Sequence, residues 1–214
     1  MNEQKPTRPT VLEINLDNFE YNLNQIKNKL KPETKIMPVI KANAYGTYIN
    51  KRLDILNKFD IVAVAIVDEG EDLRKLGYEK EIFVLNQPDI NEIEKIVQNN
   101  LTIGLSSIEF LKEVKKQNKD LRVHVEIETG MGRTGVALEK VEEFIEEIKN
   151  TKNIKVEGIY THLSSADNDE EYTKKQLKIF SEAVEKITKK INTIKYIHSS
   201  ASNGIVNYPE GQYN

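Results

Sequence analysis

The chain has 214 residues and a near-balanced charge, with 31 basic and 34 acidic side chains and a formal net charge of −3. Its lack of cysteine excludes thiolate metal sites, iron–sulfur clusters, thiol nucleophiles and disulfides. The charge balance argues against a dedicated nucleic-acid binder, and no apolar run approaches the ~20 residues of a membrane span. Residues 1–9 are polar with no apolar segment behind them, so we expect a flexible tail and a cytoplasmic protein without a secretory signal.

The first predicted elements are a strand and a helix. The apolar run at 11–16 predicts a short strand. Asp17 with Glu20 forms a capping-box pattern, which predicts that a helix starts there. The helix is expected to bury one stripe of apolar side chains at helical spacing, namely Phe19, Leu23, Ile26 and Leu30.

The chain then alternates between short Ile- and Val-rich runs and amphipathic stretches. Capping patterns at Asp89 with Glu92 and at Ser106 with Glu109 predict two of the helix starts. The apolar runs are typical of strands covered on both faces. The seven runs are 36–40, 61–66, 82–85, 101–105, 123–127, 156–160 and 194–197.

Repeated strand-then-helix units predict parallel strands with right-handed crossovers. An open doubly wound sheet and a (β/α)8 barrel both satisfy this alternation, but no G-x-G-x-x-G follows the first strand, which weakens a dinucleotide fold. We therefore expect an α/β fold of the (β/α)8 TIM-barrel type over residues 10–214, truncated after about seven strands, because the chain has seven apolar runs and its length barely accommodates a barrel of ~200 residues or more. Open edges favour association or fraying, so we expect marginal stability.

Chemistry in such folds gathers at the carboxyl ends of the strands. Lys41 directly follows the run at 36–40. Burial there can lower the pKa of a lysine and make it a Schiff-base nucleophile. Position alone, however, favours a solvated lysine. Arg133 lies in the glycine-rich loop 129–135. It is either a fixed cation for a carboxylate or phosphate oxygen or an ordinary surface arginine.

Histidines and serines follow the last two strands. His162 can be a general base, a ring-stacking partner or a structural group, and the structural interpretation is the most common for such a residue. The hydroxyl-rich residues 198–204 are similar to barrel phosphate sites, but they also fit a turn that caps a helix. His124 lies inside a predicted strand and is expected to be structural or outward-facing.

Five segments, in chain order, are together similar to one known family. They are 39–46 (VIKANAYG), 71–77 (EDLRKLG), 129–136 (TGMGRTGV), 160–163 (YTHL) and 198–202 (HSSAS). They resemble the N-terminal barrel of alanine racemase, an enzyme of the fold-type III group that uses pyridoxal 5'-phosphate (PLP). The first and third segments are specific, and the resemblance covers nearly the whole chain.

The resemblance implies PLP as the cofactor and interconversion of L- and D-alanine as the activity. Lys41 would hold PLP as an internal aldimine and exchange a proton with one face of the substrate α-carbon. Tyr45 and Ser202 would contact the cofactor phosphate, His162 would lie against its ring, and Arg133 would bind near its phenolate oxygen and the substrate carboxylate. The resemblance further implies a small amino-acid substrate, no metal, no nucleic-acid or membrane partner, and a homodimer of the full-length protein.

The sequence departs from the family at several points. Gly46 is followed by Thr47 instead of histidine and glycine, and Ala201 stands where asparagine is usual. Glu126 replaces a lysine that is sometimes carbamylated, so we expect it to supply the negative charge beside Arg133. The family's eighth strand and C-terminal β domain, which carries the second proton-transfer base, are not found, so we expect this chain to be inactive by itself.

Two other functions fit the same residues. One is a non-catalytic PLP-binding barrel, such as a cofactor carrier, which the short length favours. The other is a racemase or decarboxylase of another amino acid, which would share the lysine segment. A structural protein without a ligand is the remaining alternative, and a yellow, borohydride-fixed adduct that Lys41→Ala abolishes would exclude it.

Overall fold

A computed structural model describes residues 9–214, so nearly all of the tail expected at 1–9 lies outside the described residues. The sheet in this part of the chain is parallel, in the order β1-β2-β3-β4-β6-β7, with β5 paired to the end of β4. Its strands are β1 Ile61–Val64, β2 Glu81–Val84, β3 Thr102–Leu105, β4 Leu121–Glu128, β5 Val136–Ala137, β6 Ile154–Tyr160 and β7 Tyr196–His198.

Helices cover the outer face of the sheet, which explains why the strands are apolar on both faces. The apolar faces of α7 and α8 bury Phe144 and Phe180 against the strands. The helices are α1 Leu16–Lys27, α2 Lys41–Tyr45, α3 Leu53–Leu56, α4 Val67–Leu76, α5 Ile93–Gln98, α6 Ile108–Gln117, α7 Val141–Lys149, α8 Glu170–Thr188 and α9 Ser202–Asn207. The sheet curls into an incomplete barrel, which confirms the expected fold class.

The run at 36–40 is extended and parallel to β1, but it forms a single bridge rather than a strand. Val39 pairs with Ala63; the Ile40 N–H donates to the Ala63 carbonyl, and the Ala63 N–H donates to the Pro38 carbonyl, both at 2.8 Å. Pro38 has no N–H to donate and restricts its neighbours, so a regular ladder cannot extend through it.

Two helix starts differ from the capping patterns, and one matches. α1 begins at Leu16 because the Asn15 side chain accepts the Asn18 N–H at 2.9 Å, so the expectation of a start at Asp17 was wrong. Ser107 rather than Ser106 caps α6. The capping box of Asp89 with Glu92 is confirmed.

The N-terminal region packs less tightly than its pattern predicts. The prediction of a strand over 11–16 was wrong: residues 11–15 form no strand, Leu16 begins α1, and the side chains of Val11 and Leu12 are 56% and 64% exposed. The apolar stripe of α1 faces one way as expected, but its side chains are only half-buried. The predicted stripe is therefore present, but its burial is only partial.

The C-terminal residues bridge the opening between β7 and the segment 29–34. The Asn214 side chain accepts the Ile197 N–H and donates to the Lys195 carbonyl, both at 2.8 Å, along the free edge of β7. The buried Gln212 side chain accepts the Lys31 N–H at 3.1 Å and donates to the Lys29 carbonyl at 3.0 Å. Side-chain amides of the C-terminal residues therefore connect β7 to the segment 29–34.

Across residues 9–214, no helix has the length and apolar character that a membrane crossing requires. Over the same residues, no group of three or more histidine, aspartate or glutamate side chains is arranged to hold a metal ion.

Candidate active site

A cleft of about 280 Å³ lies at the carboxyl ends of the strands. It brings together four of the five predicted site residues, namely Lys41, Tyr45, Arg133 and His162. These residues are up to 121 positions apart in the sequence, and the parallel sheet aligns the strand ends from which they project. Ser202 is not among the lining residues, although its neighbour Ala201 is.

Lys41 opens α2, which is a left-handed turn. Its four following residues, Ala42 to Tyr45, have φ between 52° and 55°, and the turn ends at Gly46 with φ 81°. The left-handed conformation costs an L-residue roughly 1–2 kcal/mol, and strain of this kind persists only where the surroundings impose it, often at functional sites. The turn therefore places Lys41 at the cleft at a conformational cost.

His162 is partly buried, and two cations are close enough to influence it. Burial lowers its pKa below the ordinary value, and the positive charges of Arg133 and Lys41 lower it further. His162 is therefore neutral at pH 7. A neutral imidazole suits packing against an aromatic ring better than binding an anion.

Arg133 is exposed, but the loop that carries it is held in place. The Glu128 carboxylate accepts the N–H groups of Gly130 and Gly132, the latter at 3.0 Å, and the Tyr172 hydroxyl donates to the Gly130 carbonyl at 2.6 Å. Gly135 has φ 117°, and a Cβ there would lie 2.5 Å from the Glu128 nitrogen, so only glycine fits. The guanidinium therefore projects from a fixed loop.

Glu126 is buried on β4 opposite Tyr160. Burial raises the pKa of this carboxyl, while the hydroxyls of Thr134 and Tyr160 and the charge of Arg133 oppose the rise. Arg133 is therefore close enough for its charge to act on the Glu126 carboxyl, and the expectation that Glu126 supplies a negative charge to Arg133 stays a prediction.

A cluster of aromatic rings and two histidines adjoins the cleft, and two of its members, Tyr160 and His198, line the cleft wall. The ring of His198 stacks on Tyr160, with centroids 5.1 Å apart and planes 4° apart. Nε2 of His198 lies 3.0 Å from Nδ1 of His124, and His124 stacks on Phe83 at 4.4 Å. His124 is fully buried, so it is structural, and the outward-facing alternative was wrong.

Burial keeps both histidines of this cluster neutral. It lowers the pKa of His198 to about 4. It also lowers the pKa of His124 well below the ordinary value, with a further contribution from His198. One imidazole can then donate and the other accept in the bond between them.

Gln176 on α8 is a polar residue of this site that the sequence reasoning missed. It is fully buried, and its Nε2 donates to the Thr129 hydroxyl at 3.1 Å and to the His162 carbonyl at 3.3 Å. Its Oε1 accepts the Ser164 N–H at 3.0 Å. The signal was its position inside the buried stripe of α8, beside Leu177.

The serine-rich loop after β7 divides into two parts. The hydroxyls of Ser199 and Ser200 both donate to the Gly211 carbonyl, at 2.8 and 3.0 Å, so they hold the C-terminal segment. Ser202 is the first residue of α9 and is exposed, and its hydroxyl lies beside the cleft rather than in its wall.

A family model described as "Alanine racemase, N-terminal domain" matches residues 14–214. The chain belongs to this alanine racemase family. Among curated proteins, the alanine racemase of Carboxydothermus hydrogenoformans is 36% identical over 214 aligned residues, which cover 96% of this chain and 57% of that protein. The alanine racemase of Aquifex aeolicus is 37% identical, over 92% of this chain and 53% of that protein. The chain thus spans little more than half the length of these racemases.

Solved structures of alanine racemases share the fold. The enzyme from Clostridium difficile 630 matches with a TM-score of 0.89 and 36% identity, over 98% of this chain and 60% of that one. The Bacillus anthracis enzyme, solved with bound L-Ala-P, matches with a TM-score of 0.85 and 26% identity, over 93% and 53%. The resemblance to the alanine racemase N-terminal barrel is confirmed.

Proposed function

We propose that residues 10–214 form the PLP-binding barrel of an alanine racemase, and that Lys41 holds the cofactor. The observation that carries this proposal is the meeting of Lys41, Tyr45, Arg133 and His162 at one cleft in a chain of this family. The proposed activity of the whole protein is interconversion of L- and D-alanine, and its proposed assembly is a homodimer.

The chemistry of these side chains fits PLP. The cofactor needs an amine for covalent attachment, donors for its phosphate and a flat surface for its ring. Lys41 offers the amine, the hydroxyls of Tyr45 and Ser202 offer donors, and neutral His162 offers the flat surface. Tyr45 is 66% exposed, which leaves its hydroxyl free to reach a phosphate at the rim of the cleft.

When bound, PLP supplies an electron sink for the bond pair left as the substrate α-proton departs. The amine of Lys41 accepts that proton and returns one on the same face of the α-carbon. Arg133 binds the substrate carboxylate and so orients the α-hydrogen toward Lys41. The fixed loop around Arg133 reduces the reorganisation that this orientation requires.

Racemisation requires a proton to leave one face of the α-carbon and arrive at the other. Lys41 serves one face, so we propose that the 214-residue chain racemises alanine little when it is alone. It should still exchange the α-hydrogen on the face that Lys41 serves.

The test is α-hydrogen exchange in D2O. The 214-residue chain, loaded with PLP, is incubated with L-alanine and with D-alanine in separate samples, and deuterium incorporation is followed by NMR. We expect exchange into one of the two enantiomers. Lys41→Ala should abolish it, and the matched variant Lys35→Ala, in the same cleft, should preserve it.

Two outcomes would contradict this function. Exchange that survives Lys41→Ala would remove Lys41 from the chemistry. Exchange of serine or another amino acid, but of neither alanine enantiomer, would favour a racemase or decarboxylase of a different substrate.

A further inference from the structure

We propose that Glu69 is a positioning residue that fixes the left-handed turn carrying Lys41; this inference rests on the proposed role of Lys41. Glu69 lies on α4. One carboxylate oxygen accepts the Ala42 N–H at 2.6 Å, and the other accepts the Ala65 N–H at 2.8 Å. Ala65 directly follows β1, so one carboxylate ties the residue next to Lys41 to the end of a sheet strand.

The left-handed turn benefits from an external anchor. Its internal bonds run from the Ala44 N–H to the Ile40 carbonyl and from the Gly46 N–H to the Ala42 carbonyl. These bonds use later N–H groups, and the Ala42 N–H at the start of the turn points to Glu69. A hydrogen bond to a charged acceptor is about twice as strong as one between neutral groups, so Glu69 opposes relaxation of a strained turn at the point where Lys41 projects.

The competing interpretation is ordinary helix capping. Glu69 lies in the first turn of α4, where a glutamate commonly reaches back to the N–H groups that precede the helix. Its bond to Ala65 fits that interpretation. The bond to Ala42 does not, because Ala42 lies 27 residues away on another element.

A carboxylate suits the two donors better than any amide. Both N–H groups need an acceptor, and glutamine would turn an NH2 group toward one of them. Aspartate keeps two acceptors but is one methylene shorter, so it cannot reach both. Glu69→Gln therefore leaves one neutral oxygen for two N–H groups, so both bonds weaken while the size of the side chain changes very little.

The experiment compares Glu69→Gln with Asp72→Asn in the 214-residue chain. Asp72 is on the same helix, and its side chain is 77% exposed, so its variant controls for loss of charge on α4. The first readout, without cofactor, is hydrogen exchange of the Ala42 and Ala65 amides by NMR. The second is an absorbance titration with PLP.

For Glu69→Gln, we expect exchange at Ala42 to rise by about tenfold or more, as when a charge-assisted hydrogen bond is lost. PLP affinity should fall by a similar factor. Asp72→Asn should change neither quantity. Adding Ala42→Gly to Glu69→Gln should restore part of the PLP affinity, because glycine adopts the left-handed turn at little cost, and a helix-capping role would give no such rescue.

The outcomes separate this proposal from the proposed function. In Glu69→Ala, which removes both acceptors, faster exchange at Ala65 with unchanged exchange at Ala42 would reduce Glu69 to a helix cap and overturn the proposal. Unchanged PLP affinity in Glu69→Gln would also overturn it. Failure of the parent chain to bind PLP would count against the proposed function, and exchange at Ala42 would still decide whether Glu69 holds the turn.

Discussion

The buried amide of Gln176 donates to the Thr129 hydroxyl at 3.1 Å, and Thr129 in turn contacts the Thr161 hydroxyl at 2.8 Å. Thr129 begins the loop that carries Arg133, and Thr161 precedes His162. A single side chain on α8 therefore fixes the spacing of two loops that line the cleft.

Gln176→Met keeps the volume but leaves buried partners without a hydrogen bond. We expect it to lower the free energy of unfolding by about 2–4 kcal/mol and to weaken PLP binding, because both loops lose their common anchor. Urea unfolding and absorbance titration measure the two effects. The exposed Gln98 provides the control, and Gln98→Met should change stability by less than about 0.5 kcal/mol. Equal effects of the two variants would contradict the role of Gln176.

Acid should destabilise the fold before most carboxylates titrate. All three histidines have a pKa below the ordinary value in the folded chain. As the pH falls below 6.5, the unfolded chain therefore binds more protons than the folded chain does. Stability is therefore complete above pH 6.5 and declines below it. The pKa of His198, about 4, corresponds to a loss of about 3 kcal/mol between pH 6.5 and 4.

Urea unfolding at pH 7.5, 6.5, 5.5 and 4.5 measures this dependence. His198→Asn should make it shallower, because the variant has no imidazole to protonate at that position. A free energy of unfolding that stays constant from pH 7.5 to 5 in the parent chain would show that the buried histidines titrate normally.

Ala42→Gly should stabilise the protein, although glycine in place of alanine usually destabilises. Ala42 is exposed and has φ 52°, so glycine relieves left-handed strain without loss of packing. Glycine also adds conformational entropy to the unfolded chain, which offsets part of this relief. We therefore expect the free energy of unfolding to rise by about 0.5–1 kcal/mol. Ala183→Gly, inside the right-handed helix α8, should instead cost at least about 1 kcal/mol. Losses of similar size in both variants would contradict the strained turn.

Glu126→Gln tests the charge beside Arg133. Burial raises the pKa of Glu126 in the folded chain. Ionising this carboxyl therefore lowers the free energy of unfolding as the pH rises from the pKa of the unfolded chain to that of the folded chain. Glutamine does not ionise, so the variant should gain more stability at pH 8 than at pH 4. We expect weaker PLP binding because Arg133 loses the field that orients it. Glu139→Gln, at an exposed position, is the control. Unchanged binding in Glu126→Gln would end the proposal that Glu126 replaces a carbamylated lysine.

Local sequence patterns predicted much of this fold. Strands covered on both faces are recognisable as short apolar runs, and helix starts are recognisable by their capping residues. The runs at 61–66 and 156–160 contain β1 and most of β6, and the capping box at Asp89 was predicted at the right residues. The run at 36–40 failed as a strand because Pro38 interrupts the pairing. The parallel alternation then placed Lys41 and His162 at the same end of the barrel.

The remaining features depend on distant partners. Alanine opposes a left-handed turn, so the conformation after Lys41 has no local signal and depends on contacts such as that with Glu69. Gln176 bonds to Thr129 across 47 positions, and only the folded chain brings them together. Ser202 was expected to contact a phosphate, but a hydroxyl pattern cannot show that its neighbours Ser199 and Ser200 hold the C-terminal segment.

The most direct measurement is the site of PLP attachment. The 214-residue chain is mixed with PLP, reduced with borohydride and analysed by peptide mass spectrometry. We expect about one label per chain, on the peptide containing Lys41, absent in Lys41→Ala and retained in Lys35→Ala. Label on Lys35, label spread over surface lysines, or unchanged labelling of Lys41→Ala would contradict the proposed site.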